Sequence, residues 1–489
     1  MYTNHRSKAA AVRAAHHLRK RYAAQSVAWL RLCDAYLPRI DSSTIWRYSA
    51  ANPAGLAQGW KLHIPATIFT AVKVLERVGP LLDERGVLFK APASLDELAK
   101  LNAGIFYGYS QIGKCLTIYP PSDVEARKLA RALHRLTRDC VAPSIPYDHR
   151  YRPESCVYYR YGSFIEQTVE KDGQVKLAIE DPSGELVPDR RDLASPAWAV
   201  NPFVDLKQSV QKQKASLLTT RFKAFRALAQ RGKGGVYQAL DFSTMPPRLC
   251  VLKEGRRHGE VGIDGRDGFW RVEHEERLLK TMASNGLCVQ AVYGSFIAEK
   301  NFYLALEYIE GETLEAYLER RCRRLSVAAV LRWGIALAEL LAEMHRLGWV
   351  WRDCKPRNLI VTSNGTLRAI DLEGACPIAK PDPFPWGTYP FSPPESTAPF
   401  HGQSRLPEDL YSLGKIVFLL LAGRVPEVDT EPIGDLRKGV PVGVCEIVSE
   451  LLREDPARRP QAQLVKARLL EELKRLQSRR KRRPISFTQ

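Results

Sequence analysis

No Cys-x-x-Cys pair occurs in this chain, and no Cys/His cluster stands at zinc-ligand spacing. Its ten cysteines are scattered, which argues for a reducing compartment and against a structural zinc. Cys115, Cys140, Cys156, Cys250 and Cys376 sit beside apolar residues and are expected to be ordinary buried thiols. No apolar run approaches the roughly 18 residues of a membrane span. The longest, IVFLLLA at 416–422, reads as a buried helix, and there is no secretory h-region. A cytoplasmic protein with no membrane partner is the expectation. Acidic residues are missing from positions 1–33, which carry Arg6, Lys8, Arg13, Arg19, Lys20, Arg21 and Arg31. With the basic run KRLQSRRKRRP at 474–484, this stretch contributes to a formal net charge of +19 over 489 residues. Such a charge points to anionic partners (nucleic acid, nucleotide phosphates, acidic peptide or phosphorylated protein) without choosing among them. The two basic ends read as a solvated helix face and a disordered tail.

Length and composition fit two or three soluble globular domains, and no internal repeat is present. Residues 1–55 are expected to form a helical N-terminal segment. From 56 to 203 strand-like runs such as WKLHIPATIF and GVLFKAP alternate with helical runs such as SLDELAKLNAG and DVEARKLARALHRLT. Ser94 and Asp123 are the expected N-caps of those two helices, with Glu97 completing a capping box. This pattern is an α+β domain. The polar, basic stretch 204–222 reads as a linker. Residues 223–473 begin with strands and continue into long helices, a small strand-rich half followed by a larger helical half. A basic tail, 474–489, closes the chain. The fold class expected is therefore α+β throughout, an N-terminal α+β domain followed by a bilobal one.

Within the second domain, WRDCKPRNLI (351–360) and IDLEG (370–374) carry chemistry. Asp353, Lys355 and Asn358 stand at the spacing of the protein kinase catalytic loop, H-R-D-x-K-x-x-N, with Trp351 in place of His. Asp371 opens DLEG where D-F-G is usual. Asn364-Gly365 between LIVTS and TLRAI signals a hairpin that brings Asn358 and Asp371 together. These two oxygen donors suit magnesium. Asp353 would accept the proton of a substrate hydroxyl, and Lys355 would neutralise the transferring phosphoryl group.

Other parts of the kinase pattern follow in order. Lys253 in CVLK would hold nucleotide phosphates, with Glu275 in EHEERLLKTM as its ion-pair partner. FYLALEYIEGETL (302–314) resembles the hinge, where Glu307 and Ile309 would offer backbone bonds to adenine. GTYPFSPPE (387–395) resembles the end of the activation segment, with Arg459 in EDPARRP pairing Glu395, and Asp409 matches the Asp of the buried central helix. The phosphate-covering loop AQRGKGGVYQA is the weak element. It has Gly232, Gly234 and Gly235, but Ala229 and Arg231 stand where the first two glycines of G-x-G-x-x-G-x-V belong. The cofactors implied are ATP or GTP with Mg2+ and no zinc.

In the first domain WKLHIPA (60–66), VLFKAP (87–92), GKCLTIYPP (113–121) and YDHRY…VYYRYGSF (147–164) resemble the N-terminal lyase region of class III and IV lanthipeptide synthetases. Those enzymes are similar to phosphothreonine lyases there and carry a protein kinase domain next in the chain. The resemblance implies Lys90 as the base that removes the α-proton and His63 as the acid that protonates the leaving phosphate. Lys61, Lys114, Arg150 and Arg160 are the phosphate ligands it implies, with Tyr119 and Tyr161 lining the pocket. Chemically this is coherent: a lysine base needs a lowered pKa, a protonated His can act as acid, and Lys or Arg hold phosphate. The family continues into a cyclase domain with zinc ligands that have no counterpart here, so a separate cyclase is expected where rings form.

The expectation is a bifunctional enzyme that phosphorylates Ser or Thr of a ribosomal precursor peptide, bound with its leader, and then eliminates phosphate to leave dehydroalanine or dehydrobutyrine. Two alternatives stand beside it. One is a signalling Ser/Thr protein kinase with an N-terminal regulatory or binding domain. The other is a nucleic-acid-associated kinase, the least favoured reading.

Overall fold

The computed structural model describes residues 2–41, 44–49, 55–190, 195–203, 217–321, 323–398 and 402–481. It is a mixed helix-and-sheet structure in two compact units. One comprises His17–Glu273 with Ser295–Ala305. The other comprises Met1–His16, His274–Gly294 and Leu306–Gln489.

The first unit is built on a seven-stranded antiparallel sheet. Its strands are β1 (Arg39–Ile40), β2 (Trp46–Tyr48), β3 (Gln58–Ile64), β4 (Leu88–Pro92), β5 (Leu116–Tyr119), β6 (His149–Arg150) and β7 (Tyr158–Ser163), in the order β1-β2-β4-β5-β3-β7-β6. Side chains alternate across a strand. Trp60, Leu62 and Ile64 of β3, Phe89 and Ala91 of β4, and Leu116 and Ile118 of β5 therefore share one face and pack into a common core. Four helices run between the strands or precede them: α1 (Tyr2–Tyr36), α2 (Ala71–Glu84), α3 (Leu95–Ala103) and α4 (Asp123–Thr137). Trp29 and Cys33 of α1, Val74, Leu75 and Val78 of α2, and Leu129 and Leu133 of α4 belong to that core. The other face is left for polar side chains.

Three expectations are corrected at this level. The N-terminal helix ends at Tyr36, and β1 and β2 enter the sheet, so the helical segment is shorter than 1–55. Ser122, not Asp123, caps α4 by accepting the Glu125 amide at 3.2 Å, leaving Asp123 in the first turn. Ser94 does cap α3, accepting the Glu97 amide, but the Glu97 carboxylate turns to Lys100 and Tyr107 rather than completing the box. A second, three-stranded sheet follows: β8 (Thr168–Lys171), β9 (Gln174–Glu180) and β10 (Leu186–Pro188). Most of the linker expected at 204–222 lies outside the described residues. Its end forms the short helix α5 (Leu217–Thr220).

Then comes a five-stranded sheet of β11 (Phe222–Arg231), β12 (Gly234–Asp241), β13 (Arg248–Gly255), β14 (Val292–Ala298) and β15 (Asn301–Glu307), ordered β11-β12-β13-β15-β14. Helix α6 (Gly268–Ser284) lies between β13 and β14 in the chain.

The other unit is mostly helical. It contains β16 (Gly311–Thr313), α7 (Leu314–Glu319), α8 (Val327–Arg346), β17 (Trp349–Val350), β18 (Leu359–Thr362), β19 (Leu367–Ala369), β20 (Cys376–Pro377), α9 (Leu406–Ala422), α10 (Ile433–Leu436), α11 (Val442–Leu451) and α12 (Ala462–Lys481). Nearly every side chain of α9 is buried, as its apolar run IVFLLLA requires. Helix α12 continues to Lys481, so the first residues of the expected tail are helical, and 482–489 lie outside the described residues.

Candidate active sites

Strand register assembles the first site. His63 pairs with Thr117 on one side and Tyr158 on the other. Thr117 also pairs with Lys90, Lys90 with Tyr48, and Tyr158 with Arg150. Directly paired residues share a face, so Arg150, Tyr158, His63, Thr117, Lys90 and Tyr48 form one row across the sheet. Lys61 lies two residues from His63 and pairs with Arg160, adding two more cations to that face. At the spacing of neighbouring strands, His63 and Lys90 are about 10 Å apart at the backbone. Tyr119 also lies here, its ring 5.7 Å from Lys61 Nζ. Tyr161 does not. It pairs with Trp60 on the opposite face and packs edge-on against it, because a one-residue offset from Arg160 reverses the side.

The electrostatics of this face depend on acids that the sequence reading passed over. His63 Nδ1 lies 2.5 Å from Asp148 Oδ2, and both side chains are buried. Burial pushes the imidazole down to about 3, overcoming the upward pull of Asp148, with Lys114 and Lys61 pushing the same way as burial. The resting His63 is therefore neutral, not the protonated acid of the sequence reading. Burial works against ionisation of Asp148, but His63 and then Lys114 hold its carboxyl well below the usual range. Lys114 Nζ stands 3.8 Å from Asp148 Oδ1, an oxygen with no hydrogen-bond partner among the described residues. Arg160 is buried against Asp189 and also donates to the Arg190 carbonyl. Asp148 sits in YDHRY, a motif already conspicuous in the sequence. Asp189 had no such signal.

Lys90 Nζ lies 4.2 Å from the Trp46 ring centre and 5.7 Å from that of Tyr48, an aromatic corner supplied by β2. Arg150 is exposed, lies over Tyr158 and donates to Ser144. A cavity of 780 Å³ opens beside Arg160, walled by Tyr147, His149, Trp198, Lys171 and Lys176, and reaches neither His63 nor Lys90.

The second site is the loop between β17 and β18. Asp409, fully buried in α9, accepts the amides of Trp351 at 2.8 Å and Arg352 at 2.6 Å and bonds His345 Nε2 at 2.9 Å. One buried carboxylate thus pins the backbone that presents Asp353. Lys355 Nζ donates to Asp353 Oδ2 at 2.7 Å, Asn358 Nδ2 to the same oxygen at 3.0 Å, and Thr388 Oγ1 to Oδ1 at 3.0 Å. Burial raises the Asp353 carboxyl above its ordinary value, while Lys355 acts to lower it. Trp351 is fully buried and its indole N–H donates to the Asp371 carbonyl at 3.2 Å.

Strands β18 and β19 pair through a turn at Asn364-Gly365, with Gly365 at φ 79°. The Ile370 amide then donates to the Asn358 carbonyl at 2.9 Å, which sets Asp371 next to Asn358 in space. Asp371 itself adopts φ 60°, a left-handed conformation that few residues other than glycine tolerate. Glu275 is fully buried and accepts the Leu372 amide at 3.2 Å, fastening α6 to DLEG. A Cβ on Gly374 would stand 2.0 Å from Trp386 Nε1, which explains the glycine. Arg459 Nη2 donates to Glu395 Oε2 at 3.0 Å.

Other expected nucleotide contacts are arranged differently. The Glu307 amide donates to Ala291 and its carbonyl accepts from Gln290 Nε2, so the amide is not available to adenine. Ile309 is buried. Lys253 lies on β13 opposite Val236. Gly234 and Gly235 pair with Arg231 and Gln230 in the β11–β12 ladder. The Gly232 amide donates to the Ala103 carbonyl, so Gly232 is not free to donate to phosphate.

Comparison with known proteins matches residues 38–216 to the family described as RamC, N-terminal domain, and residues 264–469 to the protein kinase domain. The kinase match begins after Lys253 and the glycine loop. The chain is similar to the probable SapB synthase of Streptomyces coelicolor, 31% identical over 65% of this chain and 35% of that protein. It is also similar to the serine/threonine-protein kinase PknK of Mycobacterium bovis, 28% identical over 53% of this chain and 24% of the relative. For the kinase PknA of Nostoc the figures are 30%, 44% and 40%. The matched region spans between about a quarter and two fifths of the length of these curated relatives. This chain thus carries a RamC N-terminal domain followed by a protein kinase domain, the order implied by the resemblance to lanthipeptide synthetases.

A protein kinase domain in general uses ATP and magnesium. Asn358 Nδ2 donates to the Asp353 carbonyl at 2.9 Å and to Asp353 Oδ2 at 3.0 Å. An amide oxygen, as on Asn358, and a carboxylate, as on Asp371, are hard donors of the kind magnesium prefers. Among the described residues no group of three or more His, Cys, Asp or Glu is placed to hold a metal, and no helix is long and apolar enough to cross a membrane.

Proposed function

We propose, on the premise that a RamC N-terminal domain precedes a protein kinase domain in this chain, that the protein dehydrates Ser or Thr residues of a precursor peptide in two steps. In the first, the substrate hydroxyl attacks the γ-phosphorus of ATP or GTP, the bond to the nucleoside diphosphate breaks, and Asp353 takes the hydroxyl proton. Lys355 offsets charge on the transferring group, and magnesium held by Asn358 and Asp371 would supply further neutralisation. In the second, Lys90 removes the α-proton, the Cα=Cβ bond forms, the Cβ–O bond breaks and phosphate departs. His63, neutral at rest, takes a proton from solvent under the pull of the bound phosphate dianion and gives it to the departing phosphate oxygen, and Lys90, which acts unprotonated, returns the α-proton to solvent. Lys61, Lys114, Arg150 and Arg160 hold the phosphate.

One observation carries this reading. Cross-strand pairing puts Lys90, His63 and Arg150 in one row, with the Lys61–Arg160 pair beside it on the same face, and this clustering of a base, an acid and cations supports cleavage of a phosphate monoester by elimination. The similarity to a SapB synthase supports a peptide substrate. The test is mass spectrometry of a Ser/Thr-containing precursor peptide after incubation with enzyme, nucleotide and magnesium. Loss of water is expected from wild type, and in Lys90→Ala the peptide should stall as a phosphopeptide. Stable phosphopeptide from wild type would instead support the alternative, a signalling Ser/Thr kinase with an N-terminal regulatory domain, which the similarity to PknK and PknA favours.

A further inference from the structure

The turn Gly232-Lys233 joins β11 to β12 in the loop that the sequence marks as a phosphate cover. Within the first unit it rests on the RamC N-terminal domain. Gly232 donates its N–H to the carbonyl of Ala103 at 2.9 Å. Ala103 is the last residue of α3, where carbonyls lack partners within the helix and carry its partial negative charge. A Cβ at Gly232 would stand 1.6 Å from the Asn102 carbonyl oxygen, so only glycine permits this approach. Asn102 is itself held, its Nδ2 donating to Ala66 at 2.9 Å and its Oδ1 accepting from Gly113 at 3.1 Å.

The far side of the turn is also tied. Lys233 N–H donates to Glu260 Oε2 at 3.2 Å. Arg256 donates its backbone N–H to the Lys233 carbonyl at 2.8 Å, Nη1 to the Arg231 carbonyl at 3.2 Å and Nη2 to Tyr109 Oη at 2.6 Å. Tyr109 belongs to the N-terminal domain and lies edge-on to Tyr147, the neighbour of Asp148 in sequence.

We propose that Ala103 and Tyr109 of the N-terminal domain, acting through Gly232 and Arg256, are positioning residues for nucleotide use by the kinase domain. Gly232 is on this account a docking glycine and not a phosphate ligand. The inference rests on the reading of the second domain as a nucleotide-dependent kinase and adds a role for the first domain in that step. Two amides of the turn are engaged by protein groups, so the loop contributes through fixed placement. A segment already immobilised loses little freedom when a ligand binds.

The test uses the full chain and three assays: binding of a fluorescent ATP analogue with magnesium, phosphorylation rate against ATP, and elimination from a synthetic phosphoserine peptide without nucleotide. Tyr109→Phe removes the hydroxyl that accepts from Arg256 and keeps the ring. Its nucleotide KM is expected to rise about tenfold, the scale of one lost charge-assisted hydrogen bond. Its kcat, its peptide KM and its elimination rate should stay at wild-type values. Gly232→Ala forces the turn off α3 and should raise nucleotide KM further. Unchanged or lowered nucleotide KM in Tyr109→Phe overturns the proposal, and that variant decides alone if Gly232→Ala does not fold. Wild-type protein that binds no nucleotide overturns the kinase reading itself, and the proposal with it.

Discussion

His63 and Asp148 form a buried pair, Nδ1 to Oδ2 at 2.5 Å, in which the imidazole is neutral and the carboxylate ionised. This has a consequence for stability. The folded His63 titrates at about 3, against 6.5 for an unperturbed histidine. Above 6.5 neither folded nor unfolded chain protonates it. As pH falls below that value the unfolded chain takes up a proton that the folded one refuses, so stability is lost progressively until about 3. At pH 5 the expected loss is about 2 kcal/mol. Asp148, depressed in the fold, adds loss in the same direction at lower pH. Urea unfolding of the wild type between pH 7 and 5 should show the decline, and His63→Gln should flatten it.

Arg160 is buried against Asp189, which makes the pair costly to halve. Asp189→Ala leaves the Arg160 guanidinium with the Arg190 carbonyl and the adjoining cavity in place of its carboxylate, and should destabilise the N-terminal domain by about 1–3 kcal/mol. Replacing both partners by apolar residues of similar size should recover much of this in thermal denaturation, while elimination from a phosphoserine peptide stays lost.

Asp353 receives hydrogen bonds from Lys355, Asn358 and Thr388. Asp353→Asn retains much of that geometry but cannot accept the substrate proton, so phosphoryl transfer should fall about 10²–10⁴-fold. Elimination from a synthetic phosphopeptide should be untouched. Because burial raises the Asp353 carboxyl, the acidic limb of the phosphorylation pH profile should lie on the high side of an exposed aspartate.

Trp351 takes the place of a histidine and links the catalytic loop to DLEG through its indole N–H on the Asp371 carbonyl. Trp351→Phe keeps bulk and loses the bond, with an expected cost of about 1 kcal/mol. Trp351→Ala also empties a fully buried site and should cost about 3–5 kcal/mol. Calorimetry on both variants checks the order, and phosphorylation rates should fall in the same sequence.

Motifs with local spacing were legible without coordinates. Asn364-Gly365 specifies its own hairpin because glycine accepts the left-handed turn, and the hairpin sets Asn358 beside Asp371. Alternation along β3 places Lys61 and His63 on one face for the same kind of reason. Caps are legible to within a residue: Ser94 caps α3 as expected, while α4 is capped by Ser122, the neighbour of the expected Asp123. The side taken by Tyr161 depends on the register of β7 against β3, which no local pattern announces.

Residue types and short-range geometry are what the sequence determined by itself. They include the catalytic-loop spacing around Asp353, the lysine and histidine of the N-terminal sheet, and two α+β domains in order. Their charge states and partners were decided by tertiary structure. Asp148 and Asp189 lie 85 and 29 residues from the side chains they pair with, and burial, which no single residue encodes, makes His63 neutral. Gly232 shows the same division. Sequence supplies a glycine in a loop before CVLK, but the reason for it is the carbonyl of Asn102, 130 positions away, against which any side chain would collide.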